Sequence, residues 1–241
     1  MDQSAASNLP ELPSAPPDRL TILYTACLRG RIDTLPRLFS LIKRERSSAW
    51  AAGAATILID LGESCLPGDW LCDATSGRAL LVALDALGYD AFFLDQADPL
   101  ASDRVTLGKL LSVVVTPVAA YDRLISLRAR LPCGGSLTLV VGGLGVEIPP
   151  TPLALRITLA DPNLTPTQLD RPTPDRMVLT LADRWDDVQV GRLDVSLVAG
   201  MIVSHVRYPL SAEQSLPPDP TVSGVVDFVL GEARYASRKQ S

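Results

Sequence analysis

The feature that most constrains this chain is an alternation of strand-like and helix-like segments in its N-terminal half. L-T-I-L-Y-T-A-C-L-R-G from Leu20 reads as a buried strand running into a loop. A-T-I-L-I-D-L from Ala55 is a continuous apolar strand, and A-F-F-L from Ala91 is a third. Continuous apolar runs suit strands covered on both faces, as in a parallel sheet. Between the first two runs, Leu35, Leu38, Phe39, Leu41 and Ile42 recur at mostly helical spacing, with Arg37, Lys43 and Arg44 among them. Between the second and third, Ala79, Leu80, Ala83, Leu84 and Leu87 form another stripe, with Thr75 and Ser76 available as caps and Gly88 as the stop. Such an order dictates right-handed crossovers and parallel pairing, which gathers the loops after the strands along one edge. Functional residues of an open sheet belong on that edge.

The rest of the chain is less regular. The pattern predicts a helix near residues 121–130 and strands over 136–141, 153–159, 177–182, 192–198 and 201–206, the later ones joined as antiparallel hairpins. Pro217, Pro218 and Asp219 set up a last helix over about 219–236, with Pro220 in its first turn. Val222, Val225, Val226, Val229, Leu230 and Ala233 line the face that should dock. Residues 1–18 carry Pro10, Pro13, Pro16 and Pro17 and are expected to form a mobile tail before a single domain over 19–241.

Charge and composition remove several function classes. With 22 basic against 27 acidic residues and a net charge of -5, the chain offers no footprint for nucleic acid or an anionic membrane. No basic-then-apolar leader opens it and no apolar run reaches spanning length, so a soluble cytoplasmic protein is expected. Cys27, Cys65, Cys72 and Cys133 contain no C-x-x-C pair, which predicts reduced, buried thiols rather than zinc or disulfide chemistry. G-G-L-G from Gly142 is followed too soon by prolines to open a phosphate-binding helix, and D-R-W-D-D from Asp183 lacks calcium-loop spacing. The chain has one histidine, His205, so no histidine-rich metal centre can form.

The segment order resembles the metallophosphatase domain of the 5'-nucleotidase family, among the calcineurin-like metallophosphoesterases. T-A-C-L-R-G from Thr25 is similar to that family's T-N-D-L-H-G, D-L-G-E from Asp60 to its D-x-G-D, and G-Y-D-A-F-F-L-D-Q-A-D from Gly88 to the strand ending in G-N-H-E. L-V-V-G-G-L-G from Leu139 and A-L-R-I-T-L-A-D-P-N from Ala154 resemble the two strands whose loops give later histidines. The resemblance implies a four-layer αββα sandwich of two mixed β-sheets flanked by helices.

Carried over by position, it also implies a degenerate site. Cys27 stands at the first aspartate ligand, Arg29 at the first histidine and Glu63 at the bridging aspartate. Gln96 replaces the asparagine ligand and Ala97 the general-acid histidine, while Gly143, Asp161 and Asn163 fall at the remaining histidines. Two-metal hydrolysis needs aspartate and histidine donors to hold both ions and acidify a water. Arg29 contributes a permanent cation that only donates hydrogen bonds, so it takes the place of a metal rather than binding one. An Arg29–Glu63 ion pair closing the pocket is the expected structural outcome, with Asp98 or Asp161 close by.

Three functional expectations follow. The first is a non-catalytic pseudophosphatase with no catalytic residue, metal or cofactor, which binds a protein partner or a small anion along the edge of Arg29, Trp70 and Gln96, with Arg29 as the anion-binding candidate. The second is an active hydrolase using magnesium or manganese on Glu63, Asp98, Asp161 and Asn163. The third is a structural subunit, in a homo-oligomer or beside an active paralogue.

Overall fold

The computed structural model describes residues 17–94, 98–112, 114–120, 122–132, 134–143, 146–148, 153–158, 168–169, 178–182 and 189–240. The expected alternation is present from the start. Strand β1 (Asp18–Thr25) leads through α1 (Leu35–Ala51) to β2 (Ala54–Asp60). Two helices follow, α2 (Trp70–Thr75) and α3 (Arg78–Ala86), before β3 (Ala91–Leu94). Short helices α4 (Pro99–Ser102) and α5 (Arg104–Leu111) lead to β4 (Val118–Ala120). β1 pairs with β2, β2 with β3 and β3 with β4, all parallel.

The later chain adds β5 (Leu124–Arg130), β6 (Ser136–Gly143), β7 (Ala154–Thr158), β8 (Gln168–Leu169) and β9 (Val178–Ala182), then β10 (Val190–Val198), β11 (Met201–Leu210) and α6 (Pro220–Gln240). Two mixed sheets result, ordered β11-β10-β1-β2-β3-β4 and β5-β6-β7-β9-β8. The β10–β11 hairpin completes the first sheet by laying β10 antiparallel on β1.

Burial assigns the layers. Leu20, Ile22, Tyr24, Ile57 and Ile59 point one way and pack with Leu127, Leu139, Val141, Leu155 and Ile157 of the second sheet. Leu23 and Leu58 point the other way, into a core with α1, α2, α3 and α6. Strands β1 and β2 are therefore apolar on both faces, which is why their sequences run without alternation. Residues 159–167 and 170–177, which connect β7, β8 and β9, lie outside the described residues.

Several expectations need correction. Residues 124–130 form β5, not a helix. Only Leu127 and Ala129 of β5 are buried, a period of two that faces the first sheet, as a strand and not a helix requires. A short extra helix, α2, precedes α3, so Thr75 ends one helix and accepts from the Ala79 amide of the next at 3.3 Å. Cys65 and Cys72 form a disulfide with Cα atoms 5.6 Å apart, contrary to the expected thiols. The two residues are seven apart, with no recognisable motif, and they meet only because the loop after β2 folds back onto α2. Cys27 is a buried thiol outside the disulfide, and Cys133 lies outside the described residues. β1 begins at Asp18, the last residue assigned to the tail, whose residues 1–16 are also outside the description.

The last helix covers Pro220–Gln240, where about 219–236 was expected. Asp219 caps α6 by accepting from the amides of Thr221 at 3.0 Å and Val222 at 3.1 Å, and Lys43 of α1 donates to the same carboxylate at 2.9 Å. Val222, Val226, Val229 and Ala233 bury the docking face.

Candidate functional site

The loops after β1 and β2 lie side by side and are joined by their backbones. Leu61 N donates to Thr25 O at 2.8 Å, Cys27 N to Gly62 O at 2.9 Å, Arg29 N to Glu63 O at 3.3 Å and Gly30 N to Ser64 O at 2.9 Å. This ladder continues the parallel pairing past the ends of the strands. To sustain it, Cys27 (φ 56°), Arg29 (φ 48°) and Glu63 (φ 48°) adopt the left-handed conformation, unusual for residues with a Cβ. All three are positions that the resemblance assigned to the site. Gly30 is needed as glycine, since its φ is 70° and a Cβ there would sit 3.2 Å from the Asp69 Cβ.

The side chains meet at one carboxylate oxygen. Arg29 Nη2 lies 3.5 Å from Glu63 Oε2, the expected ion pair, and the Cys27 thiol donates to the same oxygen at 3.7 Å. The Glu63 side chain is 10% exposed and that of Arg29 31%, so the pair forms a partly covered lid over the loops. Arg29 Nε is buried without a hydrogen-bond partner among the described residues. Arg31 donates instead to the carbonyls of Leu28 at 3.2 Å and Cys27 at 3.0 Å, bracing the loop from below.

Beneath the pair lies a cluster that the sequence did not single out. Asp60, the last residue of β2, is 2% exposed. It accepts from Thr25 Oγ1 at 2.7 Å, from Gly62 N at 3.1 Å, and from Ser64 Oγ at 2.8 Å on one oxygen and 2.9 Å on the other. Tyr89 OH stands 3.0 Å from Thr25 Oγ1. Burial pushes the Asp60 carboxyl up to about 7, outweighing the lowering by Thr25, Ser64 and Gly62. Burial also pushes the Tyr89 phenol up, and the nearby Asp60 charge adds to it. The sequence clue was available, since polar Thr25 and Asp60 stand at the C-terminal ends of two strands whose central residues are mostly apolar.

Of the remaining predicted positions, Asp98 shares a small cavity with Asp60 and Ser64. Gln96, Ala97, Asp161 and Asn163 lie outside the described residues. Gly143 is the buried last residue of β6 in the second sheet, and its carbonyl accepts from Val146 N at 3.2 Å. Asp98 is buried and accepts from Cys65 N at 3.2 Å, fastening the disulfide-bearing loop. Trp70 is exposed at the start of α2, next to the Asp69 that covers Gly30. His205 is on β11 opposite Val195, at the edge of the first sheet.

A divalent pair does not fit the donors of the described residues. Glu63 is already committed to a guanidinium and a thiol, and both Asp60 oxygens receive protein hydrogen bonds. Among the described residues no three of His, Cys, Asp and Glu come together as a metal-holding group. No helix of the described residues is long and apolar enough to cross a membrane.

No protein-family model and no curated protein sequence matches the chain. Solved structures do. Calcineurin-like phosphoesterase YfkN from Bacillus subtilis superposes with a TM-score of 0.62 at 13% identity, covering 92% of this chain and 100% of that one. The sulfate thiohydrolase SoxB from Thermus thermophilus gives 0.65 at 14% identity over 92% of this chain and 61% of its own. A 5'-nucleotidase precursor, also from Thermus thermophilus, gives 0.61 at 13% identity over 91% of this chain and 59% of its own. The chain therefore has the calcineurin-like phosphoesterase fold and spans about three-fifths of the length of the last two.

Proposed function

We propose that this chain, built on the calcineurin-like phosphoesterase fold, is a non-catalytic pseudophosphatase that serves as a binding or scaffolding module. The observation that carries the reading is the Arg29 guanidinium lodged 3.5 Å from the Glu63 carboxylate, where the resemblance calls for a histidine and a bridging aspartate. In a two-metal hydrolase those groups hold the cations that acidify the attacking water. A guanidinium stays protonated, offers no lone pair, and repels a dication placed beside the same carboxylate. Cys27 adds a buried thiol that is already donating to Glu63. The backbone ladder ties the two loops together, so the edge that carries Arg29 and Trp70 is preformed for a partner: a small anion, a protein or a second copy of the chain.

The test is metal analysis of the purified chain, together with hydrolysis of nucleotides and p-nitrophenyl phosphate across added magnesium, manganese and other divalent ions. Substoichiometric metal and no metal-dependent turnover are expected. Stoichiometric metal with turnover that follows it would overturn the proposal.

A further inference from the structure

Asp60 is a buried carboxyl with no cation against it among the described residues. The titratable and charged groups around it are Tyr89, reached through Thr25; Asp98, across a small shared cavity; Glu63, three residues along the same loop and paired with Arg29 and Cys27; and Arg46 of α1, on the far side of Tyr89 and 3.5 Å from Asp90. Its polar neighbours are hydroxyls and one amide. Ser64 Oγ lies at hydrogen-bonding distance from both carboxyl oxygens, yet a hydroxyl has one hydrogen to give. A protonated carboxyl fits that geometry directly. One contact is then Asp60 O–H donating to Ser64, and the Thr25 and Gly62 bonds remain as they are.

We propose that the two site loops are latched by a proton held between Asp60 and Ser64, and that they loosen when that proton is released. Ser64 and Gly62 flank Glu63, and their carbonyls accept from the Gly30 and Cys27 amides, so the clasp on Asp60 is transmitted directly to the loop that carries Arg29. The neighbouring cavity, about 10 Å³ and lined by Asp60, Ser64, Cys65 and Asp98, has room for about one water, too little to hydrate a carboxylate. An ionised Asp60 can be properly solvated only if the loops part. The inference goes beyond the proposed function, because it holds for these loops with or without turnover.

The sign follows from linkage. The closed loops bind the proton more tightly than opened, hydrated ones, so low pH favours closure and rising pH favours opening. With a closed-state value of about 7 against the ordinary 3.8, the opening equilibrium rises about sixtyfold from about pH 4.5 to about pH 6.5 and levels off above about 7.5.

Two measurements on the full chain test the latch. In the first, the Asp60 carboxyl carbon resonance is followed against pH, and a midpoint near 7 is expected. In the second, amide hydrogen exchange, corrected for its intrinsic pH dependence, is read at Cys27, Arg29 and Gly30. Protection there should fall about sixtyfold over the same interval, while Ile57 and Leu58 in β2 stay unchanged, and D60N should abolish the slope. A carboxyl midpoint near 3.8, loop protection flat with pH, or β2 amides that move in step with the loops would each overturn it. The resonance titration uses the unaltered chain, so the test survives if D60N fails to fold. Turnover with an intact titration overturns only the pseudophosphatase reading, whereas a failed titration without turnover overturns only the latch.

Discussion

A double-mutant cycle on Arg29 and Glu63 probes the ion pair most directly. Two unit charges at the observed 3.5 Å attract by about 5 kcal/mol at an effective dielectric of about 20. That is a ceiling. The contact is a single one, and Arg29 is nearly a third exposed, so screening should leave about 1 to 1.5 kcal/mol of coupling. Arg29→Met leaves a largely covered carboxylate without its guanidinium and should cost about 2 kcal/mol, below the range for fully buried pairs. Glu63→Gln keeps the shape and should cost about 1.5 kcal/mol, and the double variant less than the sum by the coupling energy. Met and Gln are chosen over glycine because both positions are left-handed, and glycine would relieve backbone strain and mask the charge effect. Urea unfolding of the four proteins, with unchanged slopes, supplies the values. Additivity within about 0.3 kcal/mol would show that the two side chains do not interact, and the case for a closed pocket would fail.

Three further outcomes are expected from the packing. Gly191→Ala drives a Cβ into the ring of buried Tyr24, so it should destabilise by about 3 kcal/mol or prevent folding, whereas an unchanged melting temperature would contradict the β1–β10 register. Replacing Cys65 and Cys72 together by Ala reopens a loop of about eight residues and should cost about 2.5 kcal/mol by chain entropy, read by urea unfolding against the oxidised parent; an oxidised parent no more stable than its reduced form would deny that the bridge is made. Asp219→Ala removes the cap of α6 and the partner of Lys43 and should cost about 1 to 2 kcal/mol with fraying visible by circular dichroism; no loss would mean the cap is not made in solution.

The sequence was most legible where burial on both faces leaves a one-dimensional trace. Strands β1, β2 and β3 have apolar runs because each is sandwiched between helices and a second sheet, and that trace located the loops of Cys27, Arg29 and Glu63. The trace fails for β5, where one buried face on a short strand can imitate an amphipathic helix. It fails again for the disulfide, since Cys65 and Cys72 approach through a loop held by the Cys65 amide on Asp98 and by the Leu66 amide on the Asp69 carboxylate. Asp60 was visible as a residue but not as a group. Thr25 and Ser64, which bond it, and Tyr89, which reaches it through Thr25, are spread over three segments that come together only when the strands pair in parallel.

The left-handed residues allow the loop geometry to be tested apart from its charges. Arg29 and Glu63 hold φ near 48° and Cys27 56°, conformations that cost a residue with a Cβ roughly 1 kcal/mol or more each. The cost is offset by the ladder, which gives the amides of Cys27 and Arg29 carbonyl partners on the second loop. Arg29→Gly and Arg29→Met both delete the guanidinium and differ mainly in what the backbone conformation costs them. Glycine should therefore be the more stable of the two by roughly 1 kcal/mol, even though its unfolded chain has more freedom to lose. Chemical denaturation of the two variants makes the comparison. A methionine variant as stable as the glycine variant, or more so, would mean that residue 29 is not left-handed in solution; the hydrogen bonds from Arg29 and Gly30 to the second loop would then have to be redrawn, and with them the route by which Asp60 reaches the surface pair.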